Sequence, residues 1–376
     1  MAVIASSPDP IAARQPSLPP PNDSSNRIRA DQWHLVALNS DAANKISQGE
    51  GITVAVPDTG VYPHPDLAGN LLRGIDLTNG GGGGDGKADQ NSHGTGMAGL
   101  IAAHGQEGGR GAKGIAPKAK VLPIVSSGAD NQSSADILGR AIEYAVSSGA
   151  GVISISSAGG SSPALRRAIR EALLANVVVV AAAGNRPGDT EVGYPASEDG
   201  VLAVGGVDKF GVHATVSVTG PEVDVVAPAV DIYSTSIDGK YRKGTGTSDA
   251  TAIVAGAAAL IRSKYPHLPA REVAHRLTAT AIDKGAPGRD DEYGYGVIDL
   301  VAALTADVPP LGFESVSAPA GAGSATATGN RPSDESDGAT ARGLVTFGVI
   351  LAAGVGWAVL ARRRRRGDDP PPRISR

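Results

Sequence analysis

The chain has 376 residues, of which 41% are hydrophobic and 19% are charged. This composition is typical of a globular protein with a sizeable core and excludes disorder of the whole chain. The chain has 34 Lys and Arg residues and 38 Asp and Glu residues, so its formal net charge is −4. Because nucleic-acid-binding proteins need a basic surface, no nucleic-acid partner is expected. The chain has no cysteine, which excludes disulfides, thiolate metal sites and a cysteine nucleophile.

The first thirty residues are rich in proline, serine and asparagine and show neither a helical nor a strand period. They predict an extended, poorly ordered arm over residues 1–30. A secretory signal needs a basic start and an apolar run of about 7–15 residues. The apolar run at residues 2–5 is too short, so we expect no signal peptide in this segment.

Residues 31–305 alternate between short apolar segments and amphipathic ones. The predicted strands are Ile52–Val56, Lys120–Val125, Gly151–Ile155, Val177–Ala182, Val201–Val204 and Val223–Val226. Helices are predicted after Ser133 and Ser134, which are candidate N-caps, and after Pro163. Continuously apolar strands that alternate with helices indicate a mostly parallel sheet with helices on both faces. We therefore expect a single α/β domain.

The segment after this domain predicts a tether to a membrane. Residues 306–343 are rich in small and polar residues and indicate a flexible linker. Residues 344–361 carry no charge and would span roughly 27 Å as a helix, nearly the thickness of a bilayer core. They predict a transmembrane helix, with a buried globular helix as the alternative. Five arginines at residues 362–366 begin a basic tail, 362–376.

The arginines predict a single-pass protein in the cell membrane, with a cytoplasmic tail and the α/β domain on the other side. This orientation requires export of the domain, whereas residues 1–30 contain no recognisable export signal. Two explanations remain open. Either the true start lies upstream of Met1, or export uses another route.

Three polar motifs stand at the ends of predicted elements, in the order Asp, His, Ser. Asp58 follows the first predicted strand, and His93 precedes a run of small residues. Ser248 opens a long apolar helix that includes residues 252–261. A serine hydroxyl needs a neighbouring base to become a nucleophile, and that base needs an acid to orient it. The three side chains supply these parts.

A fourth residue, Asn185, follows the most apolar predicted strand. Its amide would supply a donor for the oxyanion of a tetrahedral intermediate, and a helix amino terminus at Ser248 would add further N–H groups. Taken singly, each of these residues is more often a turn or capping residue. Their joint occurrence favours catalysis by a serine nucleophile.

The three motifs and the segment 182–185 resemble the subtilisin-like serine peptidases, whose triad has this chain order. The resemblance covers residues 31–305 and implies a subtilisin-like α/β fold. It implies that Asp58 orients His93, that His93 is the general base and acid, and that Ser248 is the nucleophile. It also implies an oxyanion donor at Asn185.

Segments 32–35, 49–51 and 80–84, together with the predicted membrane helix, are similar in particular to mycosins. Mycosins are membrane-anchored proteases of actinobacterial type VII secretion systems. The resemblance implies three kinds of partner: a polypeptide substrate, the membrane, and components of the secretion system. It also implies that two segments bind an extended substrate as added β-strands. These segments are Ser156, Ser157 and Ala158, and Ala182, Ala183 and Gly184.

No cofactor is expected. The glycine-rich loop 80–84, with Asp85, Asp89 and Gln90, offers oxygen ligands of the kind that calcium takes. The spacing of these acids is irregular, so we expect a solvated loop and no metal site, with calcium as the alternative.

Two residues depart from the usual subtilisin pattern. Asp249 stands directly after Ser248, where subtilisins usually have methionine, and Pro57 precedes Asp58. Asp249 would place a negative charge near a developing oxyanion unless its side chain points away.

Three hypotheses for the function follow. The first is a membrane-anchored serine endopeptidase that serves type VII secretion through an acyl-enzyme mechanism. The second is a structural subunit of the secretion complex in which proteolysis is weak or dispensable. The third is an intracellular subtilisin-like protease, which the arginines at 362–366 argue against.

Overall fold

The structure, a computed structural model, describes residues 23–78, 83–128 and 133–312. Its helices are α1 (Asp23–Asp31), α2 (Trp33–Ala37), α3 (Ser40–Ile46), α4 (His93–Ala102), α5 (Ala135–Ser147), α6 (Pro163–Leu174), α7 (Thr247–Lys264), α8 (Ala270–Ala279) and α9 (Leu300–Thr305). Its strands are β1 (Thr53–Asp58), β2 (Ile75–Asp76), β3 (His104–Gln106), β4 (Arg110–Lys113), β5 (Lys120–Val125), β6 (Val152–Ile155), β7 (Val178–Ala182), β8 (Leu202–Val207), β9 (Val225–Pro228), β10 (Ile232–Thr235) and β11 (Tyr241–Gly244).

Seven strands form one sheet in the order β2-β5-β1-β6-β7-β8-β9. Every neighbouring pair in it is parallel. The predicted α/β architecture is confirmed, and the six predicted strands correspond to β1, β5, β6, β7, β8 and β9 with small shifts at their ends. The two-residue strand β2 and the antiparallel hairpins β3–β4 and β10–β11 were not predicted.

The sheet is covered on both faces, as the apolar strands predicted. Successive side chains of a strand point to opposite faces, and in β7 these faces belong to different cores. Val178 and Val180 pack in a core with residues of α4 and α7. Val179 and Ala181 pack in a second core with residues of α5 and α6. Burial on both faces explains why a central strand such as β7 is apolar at every position.

Serine caps begin two of the covering helices. The Oγ of Ser134 accepts a hydrogen bond from the N–H of Ile137 at 3.2 Å, so Ser134 is the N-cap of α5. The Oγ of Ser162 accepts one from the N–H of Leu165 at 3.1 Å and caps α6, whose first residue is Pro163. Such caps satisfy N–H groups that the first helical turn leaves unpaired.

Residues 23–30 differ from the prediction. We expected an extended arm over residues 1–30, but Asp23–Asp31 forms helix α1. Ile28 is buried in the core that contains α4 and α7, and the Nε of Arg29 donates to the carbonyl of Gly111 at 3.2 Å. This apolar side chain and this long-range hydrogen bond help to hold the helix on the domain, and its polar sequence does not predict it.

In the described ranges, no helix combines the length and the apolar character needed to cross a bilayer. The predicted transmembrane helix at 344–361 and the basic tail at 362–376 lie outside these ranges, as does most of the predicted linker. These assignments stay predictions.

Helix α6 offers a matched test of the core. Leu165 is fully buried in it, whereas Leu174 at its carboxyl end is 87% exposed. We expect Leu165→Ala to lower the free energy of unfolding by about 2–5 kcal/mol, because it removes buried methyl groups and leaves a cavity. Leu174→Ala should change it by no more than about 0.5 kcal/mol. Urea unfolding of both variants measures the difference, and equal losses would contradict the assignment of this helix face to the core.

Candidate active site

The candidate site lies at the point where the strand order of the sheet changes direction. Strand β1 lies between β5 and β6, which both follow it in the chain. In open parallel sheets, a crevice forms at such a point, outside the carboxyl ends of the strands. Asp58 is the last residue of β1, Ser156 directly follows β6, and Asn185 comes shortly after β7. Three of the predicted residues therefore reach one edge of the sheet.

Helix α4 brings His93 to the end of β1. The Nδ1 of His93, the first residue of α4, lies 2.8 Å from Oδ1 and 3.0 Å from Oδ2 of Asp58. The N–H of Thr59 also donates to Asp58 Oδ1, at 2.7 Å. A Cβ at Gly94 would lie 2.1 Å from the carbonyl oxygen of Gly60. Only glycine therefore lets the first turn of α4 approach the end of β1 so closely.

The environment of His93 stabilises its protonated form. Burial alone would lower the pKa of His93, because it disfavours the imidazolium. The negative charge of Asp58 and its hydrogen bond to Nδ1 act in the opposite direction, and the net result is a raised pKa. Asp58 itself is buried, so water screens this interaction weakly.

Asp89 organises the turn that leads into α4, a role that the sequence did not reveal. Its carboxylate is buried and accepts hydrogen bonds from the N–H groups of Asn91, Ser92 and Thr95 and from the hydroxyls of Thr59 and Thr95. An Asp that bonds to N–H groups a few residues on is a recognised turn former. These bonds occupy both oxygens of the carboxylate that was considered as a calcium ligand. Among the described residues, no cluster of acidic or histidine side chains has the arrangement of a metal site.

Ser248 lies in the first turn of α7, which packs against α4. Its Oγ donates to the carbonyl of Ser156 at 3.0 Å, and the Oγ of Ser156 donates back to the carbonyl of Ser248 at 3.3 Å. Because a hydroxyl has a single hydrogen, Ser248 in this rotamer does not donate to His93. The structure therefore brings His93 and Asp58 into contact and holds the Ser248 hydroxyl on the end of β6.

The amide of Asn185 is fixed in one orientation. Its Oδ1 accepts from the N–H of Thr247 at 2.8 Å and lies 3.2 Å from the Thr247 hydroxyl. Its backbone N–H donates to Asp189 at 2.6 Å. Because Oδ1 is engaged, Nδ2 remains as the donor of this side chain. Thr247 and Asp189 were not predicted as site residues, although Thr247 lies within the Ser248 motif.

The two predicted substrate-binding segments differ in their backbone hydrogen bonds. The N–H of Ala183 donates to Val204 at 3.0 Å, its carbonyl accepts from Gly193 at 3.0 Å, and the carbonyl of Gly184 accepts from Val218 at 3.1 Å. Ala182 pairs within the sheet, and all three of these small residues are buried. The backbone groups of this segment are thus already hydrogen-bonded within the domain and are not free to pair with a substrate strand.

The segment 156–158 is more exposed and has fewer backbone hydrogen bonds. Ser157 and Ala158 are half-buried, and among the described residues neither makes a backbone–backbone hydrogen bond. An open pocket lies beside them, between the start of α5 and the ring of Tyr194. This side of the cleft has both space and unpaired backbone groups for an extended chain.

The two departures from the subtilisin pattern lie within regular structure. Pro57 is in β1, opposite Ile124 of β5. Asp249 is in α7 and only 2% exposed, and burial raises its pKa to about 6. Its carboxyl lies beside Gly244, and each of its oxygens would be 2.7 Å from a Cβ at that position. The negative charge next to Ser248 is thus held inside the protein.

Comparison with known proteins identifies the fold and the class of enzyme. Residues 49–296 match the model of the subtilase family, peptidase S8. Subtilisin DY from Bacillus licheniformis is 39% identical over 263 residues, which cover 68% of this chain and 92% of that protein. Mycosin-1 from Mycobacterium tuberculosis is 35% identical over 391 aligned positions, which cover 88% of this chain and 84% of that protein.

Solved structures of mycosins share the fold. The crystal structure of MycP1 with its N-terminal propeptide removed superposes with a TM-score of 0.66 at 32% identity, covering 74% of this chain and 98% of that one. The MycP3 protease from the type VII (ESX-3) secretion system gives a TM-score of 0.65 at 36% identity, covering 73% of this chain and 88% of that one. The chain belongs to the subtilase family and is a subtilisin-like serine protease related to the mycosins of type VII secretion.

Proposed function

We propose that this protein is a membrane-anchored endopeptidase that cleaves peptide bonds with Ser248 as nucleophile, His93 as base and Asp58 as the acid that orients His93. The observation that carries this proposal is the 2.8 Å contact between His93 Nδ1 and Asp58, made beside helix α7, which has Ser248 in its first turn. The contact keeps the proton on Nδ1, so Nε2 is the nitrogen available as a base.

Catalysis begins with a rotation of the Ser248 side chain. Its hydroxyl leaves the carbonyl of Ser156 and donates to Nε2 of His93, which takes the proton as Oγ attacks the substrate carbonyl carbon. The imidazolium that forms lies next to the buried charge of Asp58, which stabilises it. His93 then returns the proton to the leaving amine, and water hydrolyses the acyl-enzyme by the same steps.

The oxyanion of the tetrahedral intermediate would lie between Asn185 and the amino terminus of α7. Thr247 holds Oδ1 of Asn185, which leaves Nδ2 to donate. The backbone N–H of Ser248, in the first turn of the helix, is the second donor. Donors that are fixed in advance stabilise the developing charge without reorganisation.

An extended substrate would pair with residues 156–158. The free backbone groups of Ser157 and Ala158 and the pocket beside them support binding as an added strand. Ala182, Ala183 and Gly184 would form the opposite wall of the cleft, because their backbone groups are already bonded.

The proposed setting is the cell membrane, with service to type VII secretion. It rests on the uncharged segment 344–361, on the arginines that follow it, and on the likeness to mycosins. In that setting, the peptidase domain faces away from the cytoplasm and components of the secretion complex are its partners.

A structural role in the secretion complex is the second candidate. The hydrogen bond from Ser248 to Ser156 and the buried acid next to Ser248 favour it, because both oppose an activated serine. Secretion restored by a Ser248→Ala protein but not by one lacking residues 344–366 would support this role.

Ser248→Ala should abolish hydrolysis of an unfolded polypeptide such as reduced casein, with a loss in kcat of about 10⁶. Ser263→Ala, at the other end of α7, is the matched control and should keep full activity. Peptide release measures both variants, and circular dichroism checks their folding. Undiminished hydrolysis by the Ser248→Ala protein would end the assignment of the nucleophile.

Asp58→Asn should lower the pKa of His93. The substitution removes the charge that stabilises the imidazolium and leaves the burial that disfavours it. Proton NMR of the histidine C2–H signals measures this pKa, and a spectrum of the His93→Ala protein assigns the signal. The expected result is a titration midpoint that moves to lower pH. A midpoint that stays in place would show that Asp58 does not control His93.

Asn185→Ala should lower kcat by about 10²–10³ with little change in KM, because its amide acts on the transition state. Asn185→Asp keeps an acceptor for the N–H of Thr247 but removes the Nδ2 donor. It should therefore lose as much activity as the alanine variant. An aspartate variant with wild-type kcat would refute the role of Nδ2.

A further inference from the structure

Two oppositely charged side chains lie near the proposed catalytic groups. Asp249 of α7 is 2% exposed, and Arg242 of β11 is half-buried. Within the described part of the chain, neither Oδ1 of Asp249 nor Nη1 of Arg242 has a hydrogen-bond partner, although both atoms are buried. A buried charged group without hydrogen bonds is strongly destabilising unless an opposite charge compensates it. Of the charges that act on the Asp249 carboxyl, that of Arg242 is the strongest.

Two glycines, which have no Cβ, leave space for these two side chains. A Cβ at Gly244 would lie 2.7 Å from the Asp249 oxygens and 2.8 Å from Nη2 of Arg242. The carboxyl and the guanidinium thus both border the space that a side chain at Gly244 would occupy, without forming a direct ion pair. A Cβ at Gly96 would lie 2.6 Å from Nη1 of Arg242. Gly96 is three residues after His93 in α4, so Arg242 lies along the helix face that His93 begins.

Among the described residues, a small set of ionisable groups acts on His93 and Asp249, while Arg242 also shares a pocket with Arg27 and Asp31 of α1 and with Tyr241 and Lys243. The set consists of Asp58 from β1, His93 from α4, Arg242 from β11 and Asp249 from α7. The strands β6, β7, β8 and β9, which pack against α7, carry no ionisable side chain, nor does α9. Arg276 of α8 stacks 4.7 Å from the ring of Tyr265, just past the other end of α7.

We propose that Asp249 is a positioning residue for the reaction, and that its charge and the opposite charge of the partly buried Arg242 together set how readily His93 takes up a proton. The proposal rests on the role of His93 as the base. It gives a function to a residue that stands where a subtilisin usually has methionine. It also explains how a negative charge next to the nucleophile is tolerated.

The charges of the pair act on His93 in opposite directions. Besides burial and Asp58, Arg242 lowers the pKa of His93 and Asp249 raises it. Burial raises the pKa of Asp249 itself to about 6, against the charges of Arg242 and His93. Below about pH 6, Asp249 is neutral, and Arg242 alone disfavours the imidazolium. Above it, the carboxylate offsets Arg242 and favours the imidazolium.

A structural alternative makes a different prediction. An acidic side chain in the first turn of a helix stabilises the helix through its dipole. Loss of that role would change the stability of the protein but would leave the protonation of His93 in place. The pH profile therefore separates the two roles.

The test is the pH dependence of kcat/KM for the full-length wild type, Asp249→Asn, Arg242→Gln and the double variant. Asp249→Asn should move the midpoint of the acid limb down by about half a pH unit or more, and Arg242→Gln should move it up by a similar amount. The double variant should lie close to the wild type. Midpoints that agree within error in both single variants would overturn the proposal.

NMR titration of His93 in a Ser248→Ala background gives the same information without turnover. It separates failure of this proposal from failure of the peptidase assignment, since the imidazole titrates whether or not the protein cleaves peptides. If Asp249→Asn does not fold, Asp249→Met replaces it and should move the midpoint in the same direction. An unmoved His93 midpoint in these proteins would refute the inference.

Discussion

The hydrogen bond between His93 Nδ1 and the carboxylate of Asp58 is the interaction on which the rest of the site depends. It joins the end of a buried strand to the first residue of a helix, so it requires β1 and α4 to meet closely. Gly94 permits this approach, and Asp89 fixes the turn that aims α4 at the strand. Because Asp58 is buried, the bond also determines how readily the imidazole holds a proton.

The proposed nucleophile and the proposed oxyanion donor reach this pair through separate elements. Ser248 lies in the first turn of the buried helix α7. Asn185 follows β7, and Thr247 holds its side chain by a hydrogen bond. The Ser248 hydroxyl rests on the carbonyl of Ser156, a residue that also begins the free edge of the cleft. Rotation of this hydroxyl towards His93 would therefore occur at the place where an extended substrate lies.

Most of the fold could be predicted because the central strands are buried on both faces. Such strands are apolar throughout, as in Val178–Ala182, and they stand out from the polar segments around them. The hairpin β10–β11 gives no such signal, since Tyr241, Arg242 and Lys243 are polar or partly exposed. Helix α1 was missed for the same reason, because its burial rests on a few side chains.

The principal residues of the candidate site could also be predicted, since Asp58, His93, Asn185 and Ser248 stand at the ends of predicted elements. The supporting residues could not. Asp89 matters through donors that only the folded turn brings together. Arg242 approaches the site only because β11 pairs with β10; Asp238-Gly239 between these strands is a local sign of a hairpin, but it does not show where the hairpin packs.

The most direct measurement of the central claim is labelling with a fluorophosphonate, followed by mass spectrometry of the labelled peptide. Attack by an activated hydroxyl on phosphorus releases fluoride and leaves a stable adduct on the nucleophile. The account predicts a single adduct on Ser248, which is absent from the His93→Ala protein. An adduct on another serine, or equal labelling of Ser248 without His93, would contradict it.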